Sequence, residues 1–149
     1  MDLIIDANIL FAALIKESAN IRLMLNENIR LFAPEYLLEE FYKNKSEILK
    51  KTHRTEQEFN DIFETLKTII TIIPADAFKE FLTEAESILA DHLKDVPYFA
   101  LSLKLKCPVW SNEKGLKNRK AVTVYSTHDI LTFLRLLGSQ LYYSLLHSV

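Results

Sequence analysis

The sequence predicts an α/β protein in which a parallel sheet is covered by helices on both faces. Three observations lead there. Short, apolar, β-branched runs alternate with segments of helical periodicity along the whole chain. The 149 residues are 49% hydrophobic and 26% charged, the balance of one compact globular domain over 1–149. Glycine occurs only at Gly115 and Gly138, which excludes a glycine-rich dinucleotide loop, a P-loop and a nucleophile elbow.

The elements follow in order. Residues 3–5 read as a strand. Residues 8–15 and 20–26 read as two short helices, and 29–33 as a second strand ended by Pro34. Residues 35–52 suit one helix with Leu37, Phe41, Ile48 and Leu49 along a stripe. Residues 55–68 form another, opened by a Thr55/Glu58 capping box. A strand at 71–73 precedes Pro74, and helices are predicted over 76–91 and 96–106. Strands at 109–111 and 122–125 come next. Ser126 and Asp129 then cap a helix over 130–137, and residues 139–149 form an apolar tail that docks on the body or on a partner.

The net charge of −2 does not mark a bulk polyanion binder, but it hides two basic segments. Residues 43–54 hold five positive charges against Glu47, and 104–120 hold six against Glu113. Cys107 is the lone cysteine and reads as a small buried hydrophobe. One cysteine excludes an internal disulfide and a multi-cysteine zinc site. Met1-Asp2 lacks the basic start of a signal peptide, and the apolar run at 9–15 is far short of the ~20 residues that span a membrane. A cytoplasmic protein without a membrane segment is expected. His53, His92, His128 and His147 are scattered without ligand-like pair spacing, and structural or exposed roles are expected for them.

Parallel sheets bind ligands outside the carboxyl ends of their strands. Asp6 follows the first strand and Glu113 the fourth. Neighbouring strands lie about 4.8 Å apart, so both carboxylates are within reach of one cation. Asp95 opens the helix at 96–106, and Glu39 and Glu40 lie early in the helix after Pro34. Periodicity does not choose between Glu39 and Glu40. Each acid also has a plainer reading: Asp6 and Asp95 as helix caps, Glu40 as a surface residue, Glu113 as a loop acid. Asp91 and Asp129 read as helix-end and capping residues. Convergent carboxylates repel one another unless a cation enters, and Mg²⁺ or Mn²⁺ suits such an all-oxygen shell.

These residues resemble a PIN-domain ribonuclease over nearly the whole chain. Leu-Ile-Ile-Asp6-Ala-Asn8 resembles the family's first-strand motif. Ala33-Pro34-Glu-Tyr-Leu-Leu-Glu-Glu40-Phe resembles the segment that carries its helical acid, and the match puts that role on Glu40. Asp95-Val-Pro-Tyr-Phe-Ala-Leu is similar to the motif of the third acid, and Trp110-Ser111-Asn112-Glu113-Lys-Gly115-Leu to the fourth. In the fourth motif Glu113 stands where the family usually has Asp, and Gly115 stands where a further acid often follows.

The resemblance implies a three-layer α/β/α sandwich with a central parallel sheet. It implies Mg²⁺- or Mn²⁺-dependent endoribonuclease action that leaves a 5′-phosphate and a 3′-hydroxyl. Asp6, Glu40 and Asp95 would hold the metal, Glu113 would complete the site, and Asn8 and Ser111 would support the carboxylates. Lys114, Lys117, Arg119 and Lys120 would then contact the RNA backbone. It also implies a toxin of a toxin–antitoxin pair, and the apolar Leu141–Leu146 segment reads either as edge packing or as an interface for a homodimer or an antitoxin. Two rivals stand beside it. One is a PIN-like RNA- or protein-binding module with a weakened metal site, favoured by Glu113 and Gly115. The other is a phosphatase with Asp6 as nucleophile, disfavoured because Asn8 replaces the second Asp of that signature.

Overall fold

The computed structural model describes residues 1–16 and 19–148. Five strands form one parallel sheet: β1 (Asp2–Ile5), β2 (Arg30–Pro34), β3 (Ile70–Ile73), β4 (Val109–Trp110) and β5 (Val124–Tyr125). Their order is β3-β2-β1-β4-β5. The chain first walks outward from β1 to β3 through α1 (Ala7–Ile15), α2 (Ala19–Met24), α3 (Tyr36–Lys43), α4 (Lys45–Thr52) and α5 (Glu56–Ile69). It then crosses back to β4 through α6 (Leu82–Ile88) and α7 (Val96–Leu105). Right-handed crossovers in opposite directions place the two helix groups on opposite faces. The three-layer α/β/α arrangement follows, and the direction of winding reverses between β1 and β4.

Burial explains the composition of the strands. Leu3, Ile4 and Ile5 are fully buried, as expected for a strand covered on both faces. Trp110 fills the same layer from β4, and Phe99, Ala100 and Leu101 press α7 onto the sheet. On the other side Phe41 of α3 stacks on Phe59 and Phe63 of α5, with ring centroids 4.6 and 5.4 Å apart. At the amino ends of β1 and β2, Arg30 forms a two-pronged ion pair with Asp2.

Local chemistry sets several boundaries. The Thr55/Glu58 and Ser126/Asp129 capping boxes are both present. The helix expected over 35–52 breaks at Asn44, whose side-chain amide donates to the Glu40 carbonyl at 2.8 Å and competes with the helical ladder. The helix expected over 76–91 is shorter. Residues 75–77 and 79–81 form two 3₁₀ turns, and only Leu82–Ile88 is α-helical. Glu35 captures the Ala75 amide at 2.7 Å, and the backbone swings at Phe78 to bury that ring. Cys107 is half-buried rather than buried.

The C-terminal segment also departs from expectation. Thr127–His147 is one helix of 21 residues, α8, and residues 139–147 belong to it; Val149 lies outside the described residues. Its base packs through Ile130, whereas Leu141, Tyr142, Tyr143, Leu145 and Leu146 are exposed. An apolar groove of about 610 Å³ runs between α8 and the start of β1, lined by Met1, Asn28, Leu134, Leu137 and Leu141. It lies at the opposite end of β1 from Asp6. Among the described residues no helix is long and apolar enough to cross a membrane.

Candidate metal centre

The winding reversal leaves a crevice at the carboxyl ends of β1 and β4. Asp6 sits there by covalent necessity, one residue past β1, and its amide donates to the Trp110 carbonyl of β4 at 3.3 Å. Its carboxylate caps α1, accepting from the Ile9 amide at 2.9 Å, and also accepts a hydrogen bond from Ser111. Both residues are almost completely buried. Burial pushes the Asp6 carboxyl up to about 6. The Ser111 and Ile9 bonds oppose that rise, while the charges of Asp95 and Glu40 add to it.

Glu40 is half-buried on α3 and accepts a hydrogen bond from the Tyr98 hydroxyl of α7 at 2.6 Å. Glu39 is exposed, whereas Glu40 is the glutamate of this pair that faces Tyr98. Burial raises the Glu40 carboxyl, with the negative charge of Asp95 adding and Lys94 and Lys43 opposing. The same anionic neighbourhood, together with burial, pushes the Tyr98 phenol far up. Tyr98 therefore stays a donor and fixes the Glu40 carboxylate.

Asp95 opens α7 but makes no capping hydrogen bond with its side chain. It is buried, and its Oδ2 has no hydrogen-bond partner. Burial raises its carboxyl; Lys94 and His92 oppose the rise, and Glu113 adds to it. A buried carboxylate oxygen left bare is costly unless something electropositive arrives. Glu113 lies on the exposed loop after β4, its amide donating to Ser111 Oγ at 3.1 Å.

Asp6, Glu40, Asp95 and Glu113 are thus linked by mutual repulsion around one crevice. Among the described residues no three acids, histidines or cysteines are drawn together as a closed ligand cage. This oxygen donor set fits a divalent ion that keeps most of its waters and takes only one or two carboxylates directly. The bare Asp95 Oδ2 is the structural observation that favours such an ion.

Other expected residues are placed differently. Asn8 is exposed on α1 and makes no hydrogen bond to Asp6, Glu40, Asp95 or Glu113. Lys117 is committed to Asp129, 2.6 Å away, and holds that carboxyl down near about 2. Arg119 grips both oxygens of Asp91 at 2.9 and 2.8 Å, and also donates to the carbonyls of Gly115 and Ile88. These two cations hold the chain together. Lys114 and Lys120 are exposed and enter no ion pair among the described residues.

Sequence reasoning missed the supports. The Thr127 hydroxyl accepts from Trp110 Nε1 and Asn112 Nδ2 at 3.1 Å each, and donates to Asn20 at 2.8 Å. Asn112 in turn accepts from the Thr127 amide at 2.9 Å, which anchors the Glu113 loop. No local pattern announces such a long-range hub. Tyr98 did carry a signal, since it lies within the Asp95 motif itself.

The sequence matches the PIN domain family over residues 4–133. This chain is a member of the PIN domain family. PIN domains are generally nucleases that use divalent metal ions. Among solved structures the PIN chain is similar to a chain of VapBC2 from Rickettsia felis, crystallised bound to a DNA fragment from its promoter. The TM-score is 0.64 at 15% identity, over 85% of this chain and 98% of that one, a likeness of fold. No curated protein matches by sequence.

The Asp6 environment yields a prediction. In the folded chain Asp6 holds its proton to about pH 6, whereas unfolded it ionises near 3.8. Between those values the folded state binds more protons, so stability falls as pH rises. The ionised carboxylate costs of the order of 2–3 kcal/mol at neutral pH without a cation. Asp6→Asn keeps an oxygen for the α1 cap and removes the charge. In EDTA at pH 7 its thermal midpoint should exceed wild type by several degrees, and the wild-type loss of stability between about pH 4 and 6 should flatten. Equal midpoints and equal pH profiles would contradict the account of this carboxyl.

Proposed function

We propose that this chain is a single PIN-like domain over residues 1–149 acting as a Mg²⁺- or Mn²⁺-dependent endoribonuclease. The bare, buried Oδ2 of Asp95 beside three further carboxylates carries the reading. A bound divalent ion supplies water activation and neutralises phosphoryl charge. The chain's own residues do the positioning. Ser111 holds Asp6, and Tyr98 holds Glu40. Asp95 offers an oxygen with no competing hydrogen bond, and exposed Glu113 completes the outer side. Lys94 and Lys43 temper the anionic field around Glu40, and Lys94 does so around Asp95 as well.

The test is cleavage of a mixed structured RNA pool in Mg²⁺, Mn²⁺ or EDTA, with Asp95→Asn and Asp6→Asn as controls. Cutting should require the metal and be lost in both variants. Wild-type rates in both variants would remove this site. Metal binding without cutting would favour the alternative of an RNA- or protein-binding module, for which exposed Glu113 in place of Asp is the specific observation.

RNA contact falls to Lys114 and Lys120, since Lys117 and Arg119 are tied internally. Changing Lys114 and Lys120 together to Gln should weaken RNA binding and make its dependence on log salt shallower by about 1 to 2. An unchanged slope would take both lysines off the RNA path.

A cytoplasmic toxin of a toxin–antitoxin pair is the role we assign, on the family resemblance and on the likeness to a chain of VapBC2. The exposed end of α8 has no charged residue beyond Arg135, and its leucines and tyrosines form an apolar surface suited to a protein partner. We assign it to a homodimer, with the antitoxin as a further partner. Hydrodynamic mass should fall from dimer to monomer on deleting 139–149. An unchanged mass would free this surface from that role.

A further inference from the structure

Gly115 occupies the position where the fourth motif often carries a further acid, and a side chain does fill that space. It is His92. A Cβ added at Gly115 would lie 2.8 Å from His92 Nε2 and 3.7 Å from Glu113 Oε1. The imidazole therefore stands against Gly115 on the wall that carries Glu113. Its other nitrogen, Nδ1, is 3.8 Å from Asp95 Oδ2. That gap is too long for a hydrogen bond, and this is the same oxygen that has no partner. On the far side of the ring, Nε2 faces Asp91 Oδ2 at 3.5 Å, and both Asp91 oxygens are gripped by Arg119.

The arrangement has a chemical meaning. A metal-binding imidazole commonly hands its second nitrogen to a carboxylate, which fixes the ring and leaves the first nitrogen's lone pair outward. Here Asp91 lies beside Nε2 at 3.5 Å and is held by Arg119, so Nδ1 is the ring nitrogen left facing the bare Asp95 oxygen. Nδ1 and Asp95 Oδ2 would be the two donors that this wall offers to a first-row ion, which accepts both imidazole nitrogen and carboxylate oxygen.

We propose that His92 is a ligand of the cation site, offering Nδ1 beside Asp95 Oδ2. The nitrogen biases the site towards first-row transition ions such as Mn²⁺ and away from Mg²⁺, which holds to oxygen donors. The proposal rests on reading the acidic crevice as a cation site. It also assigns Arg119 and Asp91 as positioning residues that act through His92.

Pulsed electron paramagnetic resonance of Mn²⁺ added to the full chain tests it without any assay of activity. The wild-type spectrum should show ¹⁴N modulation from a directly bound imidazole. His92→Gln should lose that modulation and weaken Mn²⁺ binding about tenfold while Mg²⁺ binding, measured by competition, changes little. Gly115→Ala is a second variant, needed if His92→Gln fails to fold. Gly115 has no positive φ, so alanine suits the backbone, but its Cβ must push the ring aside and the modulation should shrink. Mn²⁺ bound through Asp95 without ¹⁴N modulation would overturn the role of His92 and leave the proposed function standing. No Mn²⁺ binding, or binding unaffected by Asp95→Asn, would overturn both.

Discussion

The molecule is organised around the expense of keeping the Asp6 carboxylate inside it. Asp6 is fixed at the end of the most buried strand, and its burial pushes the carboxyl to about 6. Everything nearby answers that expense in part. The Ile9 amide and the Ser111 hydroxyl solvate it from two elements, and their positions follow from α1 leaving β1 and from β4 lying beside β1. Glu40 and Asp95 then make the problem worse from α3 and α7. The fold thus gathers acids while leaving Asp6 and Asp95 incompletely solvated, and the proposed ion site rests on that imbalance.

The topology makes this gathering unavoidable. Helices α1 to α5 cover one face and α6 and α7 the other, so the chain must reverse its winding between β1 and β4. At that reversal the exits of the two strands open apart, and the start of α7 brings Asp95 to the same edge. Short β4 and β5, two residues each, suffice because Trp110 and the Thr127 hub hold them from the side.

Much of this was legible in the chain. Alternation of apolar strands and helices specified the sheet, and the two capping boxes were readable because their partners are three residues apart. Asp6, Asp95 and Glu113 were readable as strand-end or helix-start acids. What escaped were contacts between distant residues. Asn44 breaks a helix by reaching back to Glu40, and Glu35 shortens another by taking the Ala75 amide forty positions away. The basic segment at 114–120 looked uniform, yet Asp91 and Asp129 had already claimed half its charge. His92 looked isolated because its neighbours were sought among other histidines, whereas its ring nitrogens face the acids at 91 and 95.

Helix α8 is a rod of about 32 Å at 1.5 Å per residue. Its first residue, Thr127, is bolted to Trp110, Asn112 and Asn20, and Asn112 is the neighbour of Glu113. Its other end stands clear of the body. Leu131 and Leu134 pack on the core beside Ile130, so the rod is clamped over its first two turns. Leu141 and Leu145 stand about 21 and 27 Å beyond Thr127 at 1.5 Å per residue. The exposed apolar end thus projects a surface separate from the acidic crevice at the root.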